Sequence, residues 1–420
     1  MHNLTGIDQN PKLGFYKVGP EVFYSKPQAY ARAHELGTNA TWHFNTSEFA
    51  RHNWTQEPNV DLREIYRLRA QQIRQKYDYV RLDLSGGSDS ATVLYAFVLN
   101  NIHLDEVVFR YPKTGEKGVC NDPHDYRPEN TLSEYEFAAK PMLQWIATNY
   151  PKIKITMFDY SESKLEETLQ DESWIFQTRD WFQPGHSAKH NIFAAEGHRE
   201  QADSGKSICI LHGVDKPKVV TINNNWYVYF VDVFANQPSP IMEDYTNITH
   251  ELFFWTPDMP ELVIKQSHMI KDWFEQPEHQ GFKHLVKYPL WNPNKRTAYE
   301  SIVKSIVYPD FDPLTWQTSK ATNSFYNEMD HWFYTNYKDT RMHQIWLAGL
   351  EYLEEQVGTD QMMHKHGMPV GLKWNKSLFY HLGPSTNPLS TPAFVNHAHL
   401  DNLSEEILLW QDRKIQRITV

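Results

Sequence analysis

From residue 79 onward, short and nearly continuous apolar blocks alternate with longer segments whose apolar residues recur every three or four positions. The blocks Tyr79–Leu84, Glu106–Arg110, Ile153–Phe158 and Ser207–Leu211 predict strands, and the segments Ser90–Asn100 and Thr131–Tyr150 predict helices. Strand, helix, strand, helix is the order of an α/β fold with a doubly wound parallel sheet. A helix is also predicted just before it. Asp61 stands where an N-cap would, Glu64 follows it in capping-box spacing, and Leu62, Ile65, Leu68 and Ile73 share one face.

The flanks have a different texture. Residues 1–60 are rich in Asn, His and aromatics with weak periodicity, and predict a small α+β preface to an α/β domain at 61–240. "VVTINNNWYVYFVDVF" at 219–234 sets two β-rich runs around Asn223-Asn224-Asn225, which predicts a hairpin. From about residue 242 the pattern reads as helical. Asp258 and Glu261 resemble a capping box ahead of Val263, Ile270, Trp273 and Phe274, so 241–420 is expected to be a mostly helical domain. No internal repeat, heptad array or low-complexity tract interrupts this division.

Composition narrows the class. With 40% hydrophobic and 22% charged residues the chain is globular, and no apolar run approaches the roughly 20 residues of a membrane span. The N-terminal sequence carries no secretory signal pattern, so a soluble cytoplasmic protein without a membrane partner is expected. The formal charge of −11 opposes non-specific attraction to nucleic acid. Two cysteines, Cys120 and Cys209, exclude a disulfide framework and a four-cysteine zinc site.

The chemistry concentrates between the first strand and its helix, in "LSGGSDS" at 84–90. Gly86 and Gly87 allow backbone to approach an anion, Ser85, Ser88 and Ser90 supply hydroxyls, and the following helix presents unpaired N–H groups. Asp89 would repel a bare phosphate, yet it is a hard oxygen ligand of the kind that holds Mg²⁺ between phosphates. A Walker loop needs a lysine that this segment lacks, and "DSGKS" at 203–207 has Glu200 where that motif needs its first glycine.

The segment resembles the PP-loop of the N-type ATP pyrophosphatases, Ser-Gly-Gly-x-Asp-Ser, found in asparagine, GMP and NAD synthetases, argininosuccinate synthetase, tRNA-thiolating enzymes and phosphoadenylylsulfate reductases. The resemblance covers residues 61–235, and the flanks are similar only to uncharacterised PP-loop proteins, some of them phage-encoded. It implies cleavage of ATP to AMP and pyrophosphate with Mg²⁺, the pyrophosphate held by Ser85, Gly86, Gly87 and Ser90, a metal ion by Asp89, and adenine near Phe109, Arg110 and Tyr111. "ILHGVDKPKV" at 210–219 loosely resembles a later loop of asparagine synthetases, with Lys216 where they carry Glu. Physically, Asp215 suits a second metal contact, and Lys216 suits charge developing on an attacked phosphate; an ordinary turn is the plainer reading.

Weaker signals complete the set. "QPGHSAKHNIFA" at 183–194 offers His186, Lys189, His190 and Asn191 as substrate contacts or as a polar helix start. The His364/His366 and His397/His399 pairs lack companion ligands at metal spacing, and Arg63, Arg67 and Arg74 form a stripe that reads first as a solvated face and second as a nucleic-acid contact. Set against the family, His2 stands where amidotransferase synthetases of this superfamily often place a cysteine, and the cysteine pairs of thiolating and reducing relatives are missing. The expected activity is an ATP-dependent ligase that adenylylates a carboxylate or carbonyl oxygen of a small acceptor, which an amine or ammonia then attacks. Modification of a nucleic-acid base and a non-catalytic nucleotide sensor are the alternatives.

Overall fold

The computed structural model describes residues 10–111, 135–159, 199–233, 245–288, 293–312, 315, 341–365 and 368–387. The chain begins with β1 (Phe15–Val18), β2 (Glu21–Phe23) and β3 (Thr41–His43), an antiparallel sheet with β1 in the middle. A helix, Lys26–Glu35, capped by the Ser25 hydroxyl, separates β2 from β3. After a single helical turn, Thr46–Phe49, Asp61 caps the helix Leu62–Lys76 by accepting from the Arg63 N–H, while Glu64 pairs with Arg67 instead of reaching back.

A five-stranded sheet follows, built from β4 (Tyr79–Asp83), β5 (Glu106–Tyr111), β6 (Lys154–Asp159), β7 (Ile208–His212) and a later strand. Between β7 and that strand come β8 (Lys218–Ile222) and β9 (Asn225–Tyr229), the expected hairpin. Asn223 and Asn224 both have left-handed φ, 49° and 60°, which a two-residue hairpin turn matched to strand twist requires and asparagine tolerates. The late strand is β10 (Ile248–Leu252), where the sequence read as helical; it lies parallel to β7 as the sheet's edge. Sheet order is β10-β7-β4-β5-β6, every pair parallel, so the α/β architecture holds. The chain leaves β4 toward β5 and β6, then returns on the other side to β7. That reversal opens a crevice between the carboxyl ends of β4 and β7, where α/β sheets bind ligands.

One sheet face is apolar. Val80, Leu82, Val107, Phe109, Cys209 and Leu211 join the main core under the helices Leu62–Lys76, Ser88–Val98 and Lys140–Asn149. The expected Thr131–Tyr150 helix is split in its described part into a π-helical turn, Tyr135–Ala139, and the α-helix Lys140–Asn149. The opposite face carries Arg81, Asp83, Glu106, Arg110 and His212, a buried cluster of charge in which Arg110 pairs with Asp83 at 3.0 Å and His212 lies 3.4 Å from Asp83, while Arg110 Nε has no hydrogen-bond partner.

The C-terminal half is less helical than expected. The helices Pro260–Glu275, Pro293–Val307 and Arg341–Val357 are joined by β11 (Met362–Lys365), β12 (Met368–Leu372) and β13 (Tyr380–Pro384), and β13 pairs with β9. Asp258 does not cap the helix at Pro260, whose N-cap is Met259; both Asp258 oxygens are taken by Lys12 Nζ, at 2.7 and 2.5 Å. Aromatic rings weld these parts together as packing groups: Phe49 stacks on Phe230, Phe230 meets Trp255 edge-on, and Trp54 stacks on Tyr380.

The buried Arg69 ties β10 to the first long helix. Its guanidinium donates to Glu251 at 3.0 Å and to the backbone carbonyls of Leu252 and Phe253 at 2.9 and 3.3 Å. Glu251 also accepts from Lys76 at 2.5 Å and from Tyr77 at 2.6 Å. Burial alone would raise the Glu251 carboxyl; Arg69 and these donors hold it down at about 2.

Candidate functional site

The turn after β4 is organised by its own hydroxyls. Ser90 Oγ accepts from the Ser85 N–H at 3.1 Å and donates to Gly87 O at 3.2 Å, and the Gly87 N–H donates to Ser85 Oγ at 3.3 Å. Gly86 has φ +81°, and a side-chain carbon there would lie 2.7 Å from the Ala139 nitrogen, so this glycine is required both by conformation and by the close approach of the π-helical turn Tyr135–Ala139. The helix Ser88–Val98 starts immediately afterwards and has no side-chain cap. Its first residues therefore keep N–H groups to offer, and Ser88 Oγ is buried with no hydrogen-bond partner.

The loop after β7 meets this turn across the crevice. A side-chain carbon on Gly213 would sit 2.9 Å from the Asp89 carbonyl and from the Ser90 nitrogen, so only glycine lets the two loops touch. Beyond it, Lys216 Nζ lies 2.7 Å from Asp89 Oδ1 and 2.9 Å from Asp215 Oδ1. Lys218 bonds the other Asp215 oxygen at 2.8 Å and lies 3.4 Å from Glu300. Burial alone would push the Asp215 carboxyl up; Lys216 and Lys218 hold it well below the usual carboxylate range. Lys216 is 3% exposed, and burial would lower its ammonium, yet Asp215, Asp89 and Glu300 keep it firmly charged. Gly213→Ala is expected to cost about 1–3 kcal/mol of stability in urea denaturation, as overpacking does; an unchanged stability would show that the loop contact carries nothing.

Sequence reasoning missed the contribution of the helix Pro293–Val307. Tyr308, just past its end, donates its phenol to Asp89 Oδ1, and Tyr299 accepts from the Val219 N–H at 2.9 Å while donating to Pro217 O at 2.8 Å. Burial, then the Asp89 charge, pushes the Tyr308 phenol well above its ordinary value, so it stays a donor. These tyrosines pin Asp89 and the 215–218 loop, and Glu300 terminates a chain of alternating charge running from the helix into the crevice.

Ser85, Gly86, Gly87, Ser88, Asp89, Ser90, Asp215 and Lys216 thus fall in one place. Phe109 and Tyr111 face the apolar side of the sheet and stack on Tyr135 at 5.5 and 4.7 Å, whereas Arg110 turns to the opposite face and Asp83. His186, Lys189, His190, Asn191 and Cys120 lie outside the described residues, as do His366, His397 and His399; His364 lies on β11. Arg63, Arg67 and Arg74 are paired with Asp310, Glu64 and Asp105. Cys209 is fully buried, and burial pushes its thiol well up. Residues 203–207 close a short helix, Arg199–Asp203, and lead into β7.

Among the described residues no three His, Cys, Asp or Glu side chains gather as a metal site, and no helix is long and apolar enough to cross a membrane. No protein-family model matches the chain, and no curated protein matches it.

Proposed function

We propose that the chain is an ATP-dependent ligase of PP-loop type, which releases pyrophosphate from ATP as it adenylylates a carboxylate or carbonyl oxygen, after which an amine or ammonia attacks the activated carbon and displaces AMP. The observation that carries this reading is the meeting, at the sheet's switch point, of a glycine-lined helix start with two carboxylates and a buried lysine. An anion fits the turn at the uncapped start of the Ser88–Val98 helix, where Ser88 Oγ has no partner. A divalent cation fits between Asp89 and Asp215, because both already converge on a single cationic centre, Lys216 Nζ. Two carboxylates are what Mg²⁺ commonly takes from protein when phosphates complete its shell.

ATP with Mg²⁺ would supply an electrophilic α-phosphate and a pyrophosphate leaving group. The chain's part would be positioning and electrostatics: the turn's N–H groups and Ser88 would receive phosphate oxygens, Asp89 and Asp215 would hold the metal ion, and Lys216 would offset negative charge as it develops. Tyr308 keeps the Asp89 carboxylate oriented. A small acceptor is favoured over a nucleic acid, since each arginine of the 63/67/74 stripe already pairs with a carboxylate. A sulfur relay is disfavoured at Cys209, whose buried thiol is not a nucleophile near neutral pH.

Labelled ATP incubated with the protein, Mg²⁺ and pools of amino acids, nucleotides or nucleic acids is expected to yield AMP and pyrophosphate with one small-molecule pool. ADP and phosphate as the main products would overturn the reading. Stimulation by tRNA or DNA alone would favour base modification, and nucleotide binding without turnover in any pool would favour a sensor.

A further inference from the structure

We propose that Lys216 is a built-in counter-cation, which holds the place between Asp89 and Asp215 while the site is empty of nucleotide and exchanges with the divalent cation that arrives with it. The inference rests on the ATP reading and adds how the site is kept ready. Lys216 Nζ is within 2.7 Å of one carboxylate and 2.9 Å of the other, and it is the one group that touches both among the described residues. Asp89 and Asp215 are therefore near enough to repel one another strongly in a partly buried crevice, where their side chains are 29% and 17% exposed. Removing the ammonium without replacement would leave Lys218, on Asp215, as the one cation still bonded to the pair among the described residues, and much of that repulsion uncompensated.

The remaining contacts suit an exchange. Lys218 and Tyr308 stay on Asp215 and Asp89 by separate bonds, so both carboxylates keep their orientation when Lys216 leaves. A lysine is a point charge on a flexible four-carbon stem, and it can swing to the phosphates that accompany the metal ion. Metal without nucleotide gives the displaced ammonium no new partner, so binding of metal alone is weak and binding of metal with nucleotide is cooperative.

The test is a titration with Mn²⁺ alone, read by the paramagnetic resonance of the free ion, together with thermal melts at millimolar Mg²⁺. Wild type is expected to bind Mn²⁺ weakly. Lys216→Gln is expected to bind it about tenfold or more tightly, the lower end of what a close charge pair is worth. Its melting temperature is expected to be lowered without metal and restored by Mg²⁺. The Lys216→Gln/Asp215→Asn variant, which keeps the charge balance, is expected to fold without metal and to lose the gain in affinity. Unchanged or weaker Mn²⁺ binding by Lys216→Gln, equally tight binding by the double variant, or failure of Lys216→Gln to fold even with Mg²⁺ would each overturn the exchange. No nucleotide enters these measurements, so their failure is distinct from failure of the ATP reading, which pyrophosphate release by wild type decides.

Discussion

Asp89→Asn is expected to reduce pyrophosphate release about a thousandfold while the protein stays folded, the loss seen when a charge-stabilising group is removed from a reacting centre. The substitution removes a charge and no volume, at a side chain that is 29% exposed. The amide oxygen can still accept from Tyr308 and Lys216, so the geometry between turn and loop survives. What is lost is the negative oxygen that a hard cation demands. Steady-state pyrophosphate release, far-UV circular dichroism and a thermal melt check the two halves of the expectation. Full release by a folded variant would remove Asp89 from the proposed metal site.

The largest stability effect is expected from Arg69→Ala, at about 3–5 kcal/mol, the cost of breaking a buried ion pair by deleting one partner. Arg69 is 0% exposed, and its loss strands two backbone carbonyls as well as part of Glu251's solvation. Urea denaturation of both proteins measures the difference; less than about 1 kcal/mol, an exposed pair's worth, would contradict the role given to this anchor. The effect has a pH signature. Glu251 titrates near 2 in the folded protein, against the usual 4.5, so its stabilising contribution is complete above about 4.5 and is lost as pH falls toward 2. The gap between wild type and variant should narrow across that window.

How much the sequence disclosed follows from where each signal resides. β4, β5, β6 and β7 fall within one residue of their expected starts, because each is an apolar block bounded by polar turns. The glycine turn was equally legible, since its chemistry is contiguous. β10 was not: Thr249, His250 and Glu251 break its apolar pattern, and they are accepted in a strand only because β7 offers an edge and Arg69 and His212 receive the polar groups. Asp258 looked like a cap until Lys12, far away in the chain, took its carboxylate. Tyr308 carried no local sign of its role, since its partner Asp89 lies 219 residues away and only the fold joins them.

The late arrival of β10 has a consequence for how the protein is made. Chains emerge from the ribosome amino end first, at about 5–20 residues per second. β4 to β7 can all be outside while the strand that shields β7, residues 248–252, is still inside or not yet translated, and β9 waits longer still for residues 380–384. An uncovered strand rim is a template for pairing with another chain. Nascent molecules on one messenger therefore pass through an interval in which neighbours can join through β7, and that interval closes only when the chain reaches its own tenth strand.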